Sequence, residues 1–122
     1  MVYLGLSRRA ASDIEEIRSY SVERWGRRVA EEYLDSIEEA LDRLRESPNL
    51  LRTKPEFSRH LQFYRVHRHF LICSLIEQNI YVLAVKHGSL DLPNRLAELE
   101  PRLLVEAELL HKTFLGNRKQ RS

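Results

Sequence analysis

Cys73 is the only cysteine in this sequence, so the fold has no internal disulfide. Glycine and proline are equally sparse, with four of each among 122 residues. The scattered glycines form no phosphate-cradling loop, and no low-complexity tract or internal repeat occurs. No apolar run approaches the roughly 20 residues that span a bilayer. The apolar start ends at Arg8 and Arg9, too early for a secretory signal. A cytoplasmic protein without membrane contact is therefore expected. Metal-ligand spacing is missing as well. His67 and His69, two apart, would share one strand face, yet no Cys or carboxylate lies beside them. No Ser-His-Asp order is recognisable, and no metal or cofactor is expected. Cys73 sits in the apolar run 70–76 and reads as a buried, inert thiol.

What the sequence does contain suits one globular domain. Apolar residues make up 43% and charged residues 31%, enough for one modest core and too apolar for a disordered chain. The net charge of +2 hides an uneven distribution. Residues 7–47 carry eight Arg against eleven Asp or Glu. Residues 48–90 carry six Lys or Arg against two Glu, together with His60, His67, His69 and His87. A basic, His-rich middle points to an anionic partner, and an acidic first half reads as a solvated helical face.

Residues 2–6 form a short apolar strand candidate. Ser7 can N-cap the next segment, where Ala10, Ile14, Ile17 and Ser21 repeat at helical spacing and Asp13, Glu15, Glu16 and Arg18 lie mostly outside the stripe. Gly26 after Trp25 reads as a helix C-cap. A second amphipathic helix carries Ala30, Tyr33, Leu34, Ile37, Leu41 and Leu44, and Ser47-Pro48 ends it. Residues 49–59 read as a loop. Strands are predicted at 61–66, 70–76 and 80–85, with Glu77, Gln78 and Asn79 turning the chain between the last two. The run 70–76 is apolar throughout, so both of its faces need a cover. A short helix over 94–99, broken by Pro101, precedes a last apolar stripe of Leu103, Ala107, Leu110 and Phe114. The tail 116–122 reads as disordered. The expected fold is α+β, a small antiparallel sheet with a helix hairpin packed on one face. The last stripe is too apolar to face water. It is expected to dock on the chain's own core or on a second copy, which leaves a homo-oligomer through that helix open.

The constellation with chemical potential is Arg59, His60, Tyr64, Arg65, His67, Arg68, His69, Lys86 and His87. A cation beside an imidazole suits phosphodiester chemistry: a base takes a ribose hydroxyl proton, an acid protonates the leaving oxygen, and Arg or Lys holds the anionic phosphorane. Arg65, His67, Lys86 and His87 are the candidates for that role. The same residues suit binding of an acidic surface or a phosphate backbone, and a solvated sheet rim is the third possibility. His69, at the start of an apolar strand, reads as structural.

Several of these residues resemble the ParE branch of the RelE/ParE toxin superfamily. The likeness begins with Ser7, Ala10, Asp13, Ile14, Ile17 and Tyr20, and continues through Trp25-Gly26, Ala30, Tyr33, Ile37, Leu44 and Pro48. It is sharpest in His69-Phe70-Leu71-Ile72-Cys73 and in the strand 80–87 leading to Leu90-Asp91. The resemblance implies a toxin domain over residues 1–99, followed by a helical extension and basic tail over 100–122. It implies a toxin of a type II toxin–antitoxin system that inhibits DNA gyrase by binding, with a ParD-like antitoxin as partner. Ribosome-dependent mRNA cleavage of RelE type is the alternative, and an inactive homologue that only binds antitoxin is a third. Arg59, Arg65, Arg68, Lys86, His87 and Asp91 are the candidate target- or antitoxin-binding residues. Ser89 and Ala84 stand where chains of this type often carry Arg, and no Tyr follows Tyr81 where RelE-type sites carry a late one.

Overall fold

The structure, a computed structural model, describes residues 2–121 and the side chains of residues 2–118. Strand β1 (Leu4–Leu6) leads into helix α1 (Arg8–Trp25), whose first turn is capped by Ser7. The Ser7 hydroxyl accepts from Ala10 N at 3.0 Å and donates to Leu83 O at 3.0 Å, so one side chain caps the helix and ties it to the sheet. Gly26 ends α1 with φ 87°, a backbone that a Cβ would strain, and α2 (Arg27–Glu46) starts at the next residue. Ala30, Ile37, Ala40, Leu41 and Leu44 form the buried stripe of α2.

The segment expected as a loop holds more structure than its sequence shows. A 3₁₀ turn (Pro48–Leu50) leads to a short edge strand, β2 (Arg52–Lys54). Three residues of Arg-Thr-Lys carry no hydrophobic alternation, so only the pairing with its neighbour defines this strand. Strands β3 (Ser58–Val66), β4 (His69–Ile76) and β5 (Asn79–His87) follow as an antiparallel meander. The sheet order is β1-β5-β4-β3-β2, and β1 pairs parallel to β5, so the sheet is mostly rather than wholly antiparallel. The β4–β5 turn is two residues long. Glu77 and Gln78 both have positive φ, at 50° and 70°, and Asn79 is already in the strand.

Both faces of the sheet are buried. Leu71, Cys73, Ile80, Val82 and Val85 pack with Ile17, Ile37, Leu41 and Leu44 of the helix hairpin. On the other side Leu61, Phe63, Ile72, Tyr81 and Leu83 pack with Leu92, Leu96, Leu103 and Ala107 of helix α3 (Leu92–Arg121). Pro101 does not end this helix, contrary to the sequence expectation. Proline removes the hydrogen bond to the carbonyl four residues earlier. Here Pro101 and Ala97 are both exposed, so water can meet the freed carbonyl while the buried face stays continuous. The helix also runs through 116–121, where disorder was expected, and Ser122 lies outside the described residues. The last stripe therefore docks on the chain's own sheet. Arg9 clamps it with two bonds to Glu106, at 3.2 and 3.0 Å. His111 lies between the Tyr81 hydroxyl (2.6 Å) and Glu77 Oε2 (3.1 Å).

Full burial of a Leu side chain is worth about 1.5–3 kcal/mol, so α3 is a structural member of the core. Leu103→Ala is expected to cost about 2–5 kcal/mol in denaturant unfolding. Truncation after Leu99 should lower the thermal midpoint and the solubility together. An unchanged melting curve would show that α3 beyond Leu99 contributes nothing to the fold.

Candidate functional site

A cleft of about 440 Å³ opens where the C-terminal half of α1 meets the ends of β4 and β5. Its floor is held by Asp13. This carboxylate is buried, and it accepts from Val85 N at 2.9 Å and from Lys86 Nζ at 3.1 Å. One side chain thus pins α1 to the last strand and neutralises Lys86. The positions 10, 13 and 17 follow helical spacing, so Asp13 belongs to the buried stripe of α1 rather than beside it. Its placement was legible from that spacing and was masked by its charge.

The adjacent wall carries Tyr33, His69 and His87. His69 and His87 are cross-strand partners with ring centroids 5.4 Å apart. Burial, and secondarily the charge of His87, lowers the His69 pKa to about 4. The ring is therefore neutral near pH 7, and its Nδ1 is hydrogen-bonded to the Tyr33 hydroxyl at 2.5 Å. Burial also pushes the Tyr33 phenol up. Arg68, Arg24 and Arg95 bring positive charge to the rim. Tyr20 and Trp25 are more than half exposed there and meet edge to face at 5.8 Å, with the Arg24 guanidinium 6.0 Å from the Tyr20 ring. Exposed aromatics beside arginines are the composition of protein-binding hot spots.

Of the residues singled out in the sequence, Arg68, Lys86, His87 and His69 come together in this cleft. Arg65 does not line it. Its Nε donates to His67 O at 2.8 Å, and its guanidinium lies 5.6 Å from the Phe70 ring centroid. His67 occupies the β3–β4 turn with φ 54° and reaches Ser36 Oγ at 3.1 Å. The turn interrupts the strand, yet His67 and His69 both face α2, with ring centroids 5.3 and 5.5 Å from that of Tyr33. Arg59 is exposed near the start of β3, at the opposite end of that strand from Arg65. Asp91 accepts from Arg95 at 3.1 Å. Asp13, Tyr20, Arg24, Trp25 and Arg95 were not singled out as site residues. Exposed aromatics near the end of a polar helix face were the available signal for two of them. Among the described residues no group of three or more His, Cys, Asp or Glu could hold a metal ion, and no helix is long and apolar enough to cross a membrane. Gly88 adjoins the site for a packing reason: a Cβ there would meet Phe70 Cε2 at 2.7 Å.

Comparison with known proteins adds three findings. A family model described as the ParE toxin of the parDE type II toxin–antitoxin system matches residues 4–92, ending on the first residue of α3. A solved structure titled "Chromosomal ParDE TA system from P. aeruginosa" is 19% identical, with a TM-score of 0.64 over 73% of this chain and 98% of that chain, a likeness of fold. No curated protein matches the sequence.

Two measurements check the chemistry of the cleft. His69 has a folded pKa below its unfolded value of about 6.5, so the unfolded chain binds more protons between pH 6.5 and 4. Stability should fall as the pH drops through that window, and His69→Gln should flatten the dependence. A His69 imidazole that titrates near 6.5 by NMR would contradict this. Asp13→Ala leaves Val85 N–H without its partner and should cost about 1–3 kcal/mol. Unfolding midpoints of the two proteins give the answer.

Proposed function

This chain belongs to the ParE toxin family of parDE type II toxin–antitoxin systems, and from that premise we propose that it arrests growth by binding DNA gyrase in the cytoplasm, restrained by a ParD-type antitoxin. The observation that carries a binding role is the Asp13–Lys86 pair. A lysine that must hold an anionic phosphorane needs its charge free, and Lys86 shares its charge with a buried carboxylate at 3.1 Å. His69 is likewise occupied, with the Tyr33 hydroxyl on Nδ1. The exposed Tyr20–Trp25 pair and the rim arginines instead offer what a protein partner uses: rigid aromatic surface with flanking cations. Target and antitoxin would compete for this cleft, with Arg68, Lys86 and His87 on the sheet side and Tyr20 and Trp25 on the helix side.

Purified chain added to gyrase should block DNA supercoiling, and purified antitoxin should restore it. The same chain on translating ribosomes should leave mRNA intact. Ribosome-dependent cleavage with unimpaired supercoiling would replace this reading with a nuclease. Trp25→Ala is expected to weaken gyrase inhibition at least tenfold without lowering the thermal midpoint, because its side chain is exposed. Equal inhibition by that variant would remove the cleft from the binding surface.

A further inference from the structure

The cations of this protein differ in whether a carboxylate meets them. On the helix hairpin Arg28, Arg43 and Arg45 each pair with a carboxylate three or four residues away. On β2 and β3 Arg52, Lys54, Arg59 and Arg65 have no carboxylate partner among the described residues. Residues 47–68 contain one acid, Glu56. Glu100, which reaches this region from α3, is engaged by the Ser58 hydroxyl.

Two of these cations sit against one aromatic cluster, and a third is opposite it in the strand register. Phe57, Phe63 and Phe70 meet edge to face, with centroids 5.5 to 6.2 Å apart. Lys54 Nζ lies 5.8 Å from the Phe57 centroid and 5.7 Å from that of Phe70, and Arg65 lies 5.6 Å from Phe70. Arg52 is paired with Phe63 in the sheet register. Lys54 and Arg65 therefore flank a single ring, at most about 11 Å apart, close enough to meet neighbouring phosphates of one duplex strand.

We propose that this β2–β3 face, built from Arg52, Lys54 and Arg65, is a docking surface for the phosphate backbone of duplex DNA. The proposal rests on the gyrase reading for its biological setting, the DNA held by that enzyme. The choice of nucleic acid over an acidic peptide follows from burial. Phe63 and Phe70 are 1% and 5% exposed and only Phe57 is partly open, so the cluster mainly supports the cations and offers little apolar surface to an anchoring side chain. Arg65 borders an open, mostly polar hollow of about 260 Å³ with Ser36, Glu39 and His67, which is no apolar pocket either. A polyanion needs only unneutralised charge. The cation–ring contacts hold Lys54 and Arg65 in place, which reduces the ordering cost of binding.

The test is fluorescence anisotropy of a labelled 30-base-pair duplex with the purified full chain, from 50 to 200 mM salt. Lys54→Gln/Arg65→Gln should lower the slope of log K against log salt by about 1.8. Arg65 also bonds the β3–β4 turn, so Arg52→Gln/Lys54→Gln serves as a second variant, and the melting midpoint of each is measured alongside. Arg18→Gln/Arg28→Gln on the hairpin should leave the slope unchanged. Duplex that fails to bind the parent chain at 50 mM salt overturns the proposal, as does an unaltered slope in a folded variant of the face. Preference for single-stranded RNA, or displacement of the duplex by polyglutamate of equal charge, overturns it too. Because bare DNA is used, salt-dependent binding together with unimpaired gyrase would sink the gyrase reading and leave the surface standing.

Discussion

Strands β4 and β5 carry apolar side chains on both of their faces, and each face must be kept from water. Leu71, Cys73 and Val82 look one way, and Ile72, Tyr81 and Leu83 look the other. A sheet of this kind requires two covers. The α1–α2 hairpin supplies the first and α3 the second. Most of the remaining architecture serves these two contacts. Ser7 and Asp13 tie α1 to β5 by polar bonds at two points along the helix. His111 ties α3 to β5, and Arg9 ties α3 to α1. Polar clamps at the margins fix the registry that non-directional apolar packing leaves loose.

The double cover also decides where chemistry can occur. With both faces occupied, open functional surface is confined to the ends and edges of the sheet. The β4–β5 pair has a register irregularity between Ile72 and Cys73, with Leu83 as the extra residue opposite it. Such bulges bend a strand and re-aim the side chains beyond them. Val85, Lys86 and His87 follow this one, and Asp13 receives two of them. The cleft thus arises where the helix cover stops and the strand ends emerge.

Charge is partitioned along the same lines. On the hairpin's outer face acids outnumber bases, and Arg28, Arg43 and Arg45 sit in local pairs of small energetic value. The exposed part of β2 and β3 carries cations alone. A fold stabilised chiefly by apolar burial can tolerate unpaired surface cations, because each costs little in water.

Much of this was legible in residues 1–99. The helical spacings of α1 and α2, the cap at Ser7, the stop at Gly26 and the apolar strands 70–76 and 80–85 depend on local stereochemistry, and local pattern encodes them. The requirement for a second cover was also readable, because strand 70–76 has no polar face. Other features depended on partners remote in the chain. The sequence cannot show that Arg52–Lys54 is a strand, since only its pairing with β3 makes it one. It cannot show that Pro101 sits on the solvent side, where a lost hydrogen bond is harmless. Asp13 meets Lys86 across 73 residues, and that single contact turns a candidate catalytic lysine into half of an ion pair. Periodicity and capping were thus set by neighbours in the chain, whereas the ionic state and company of each site residue were set by contacts that exist only once the chain has folded.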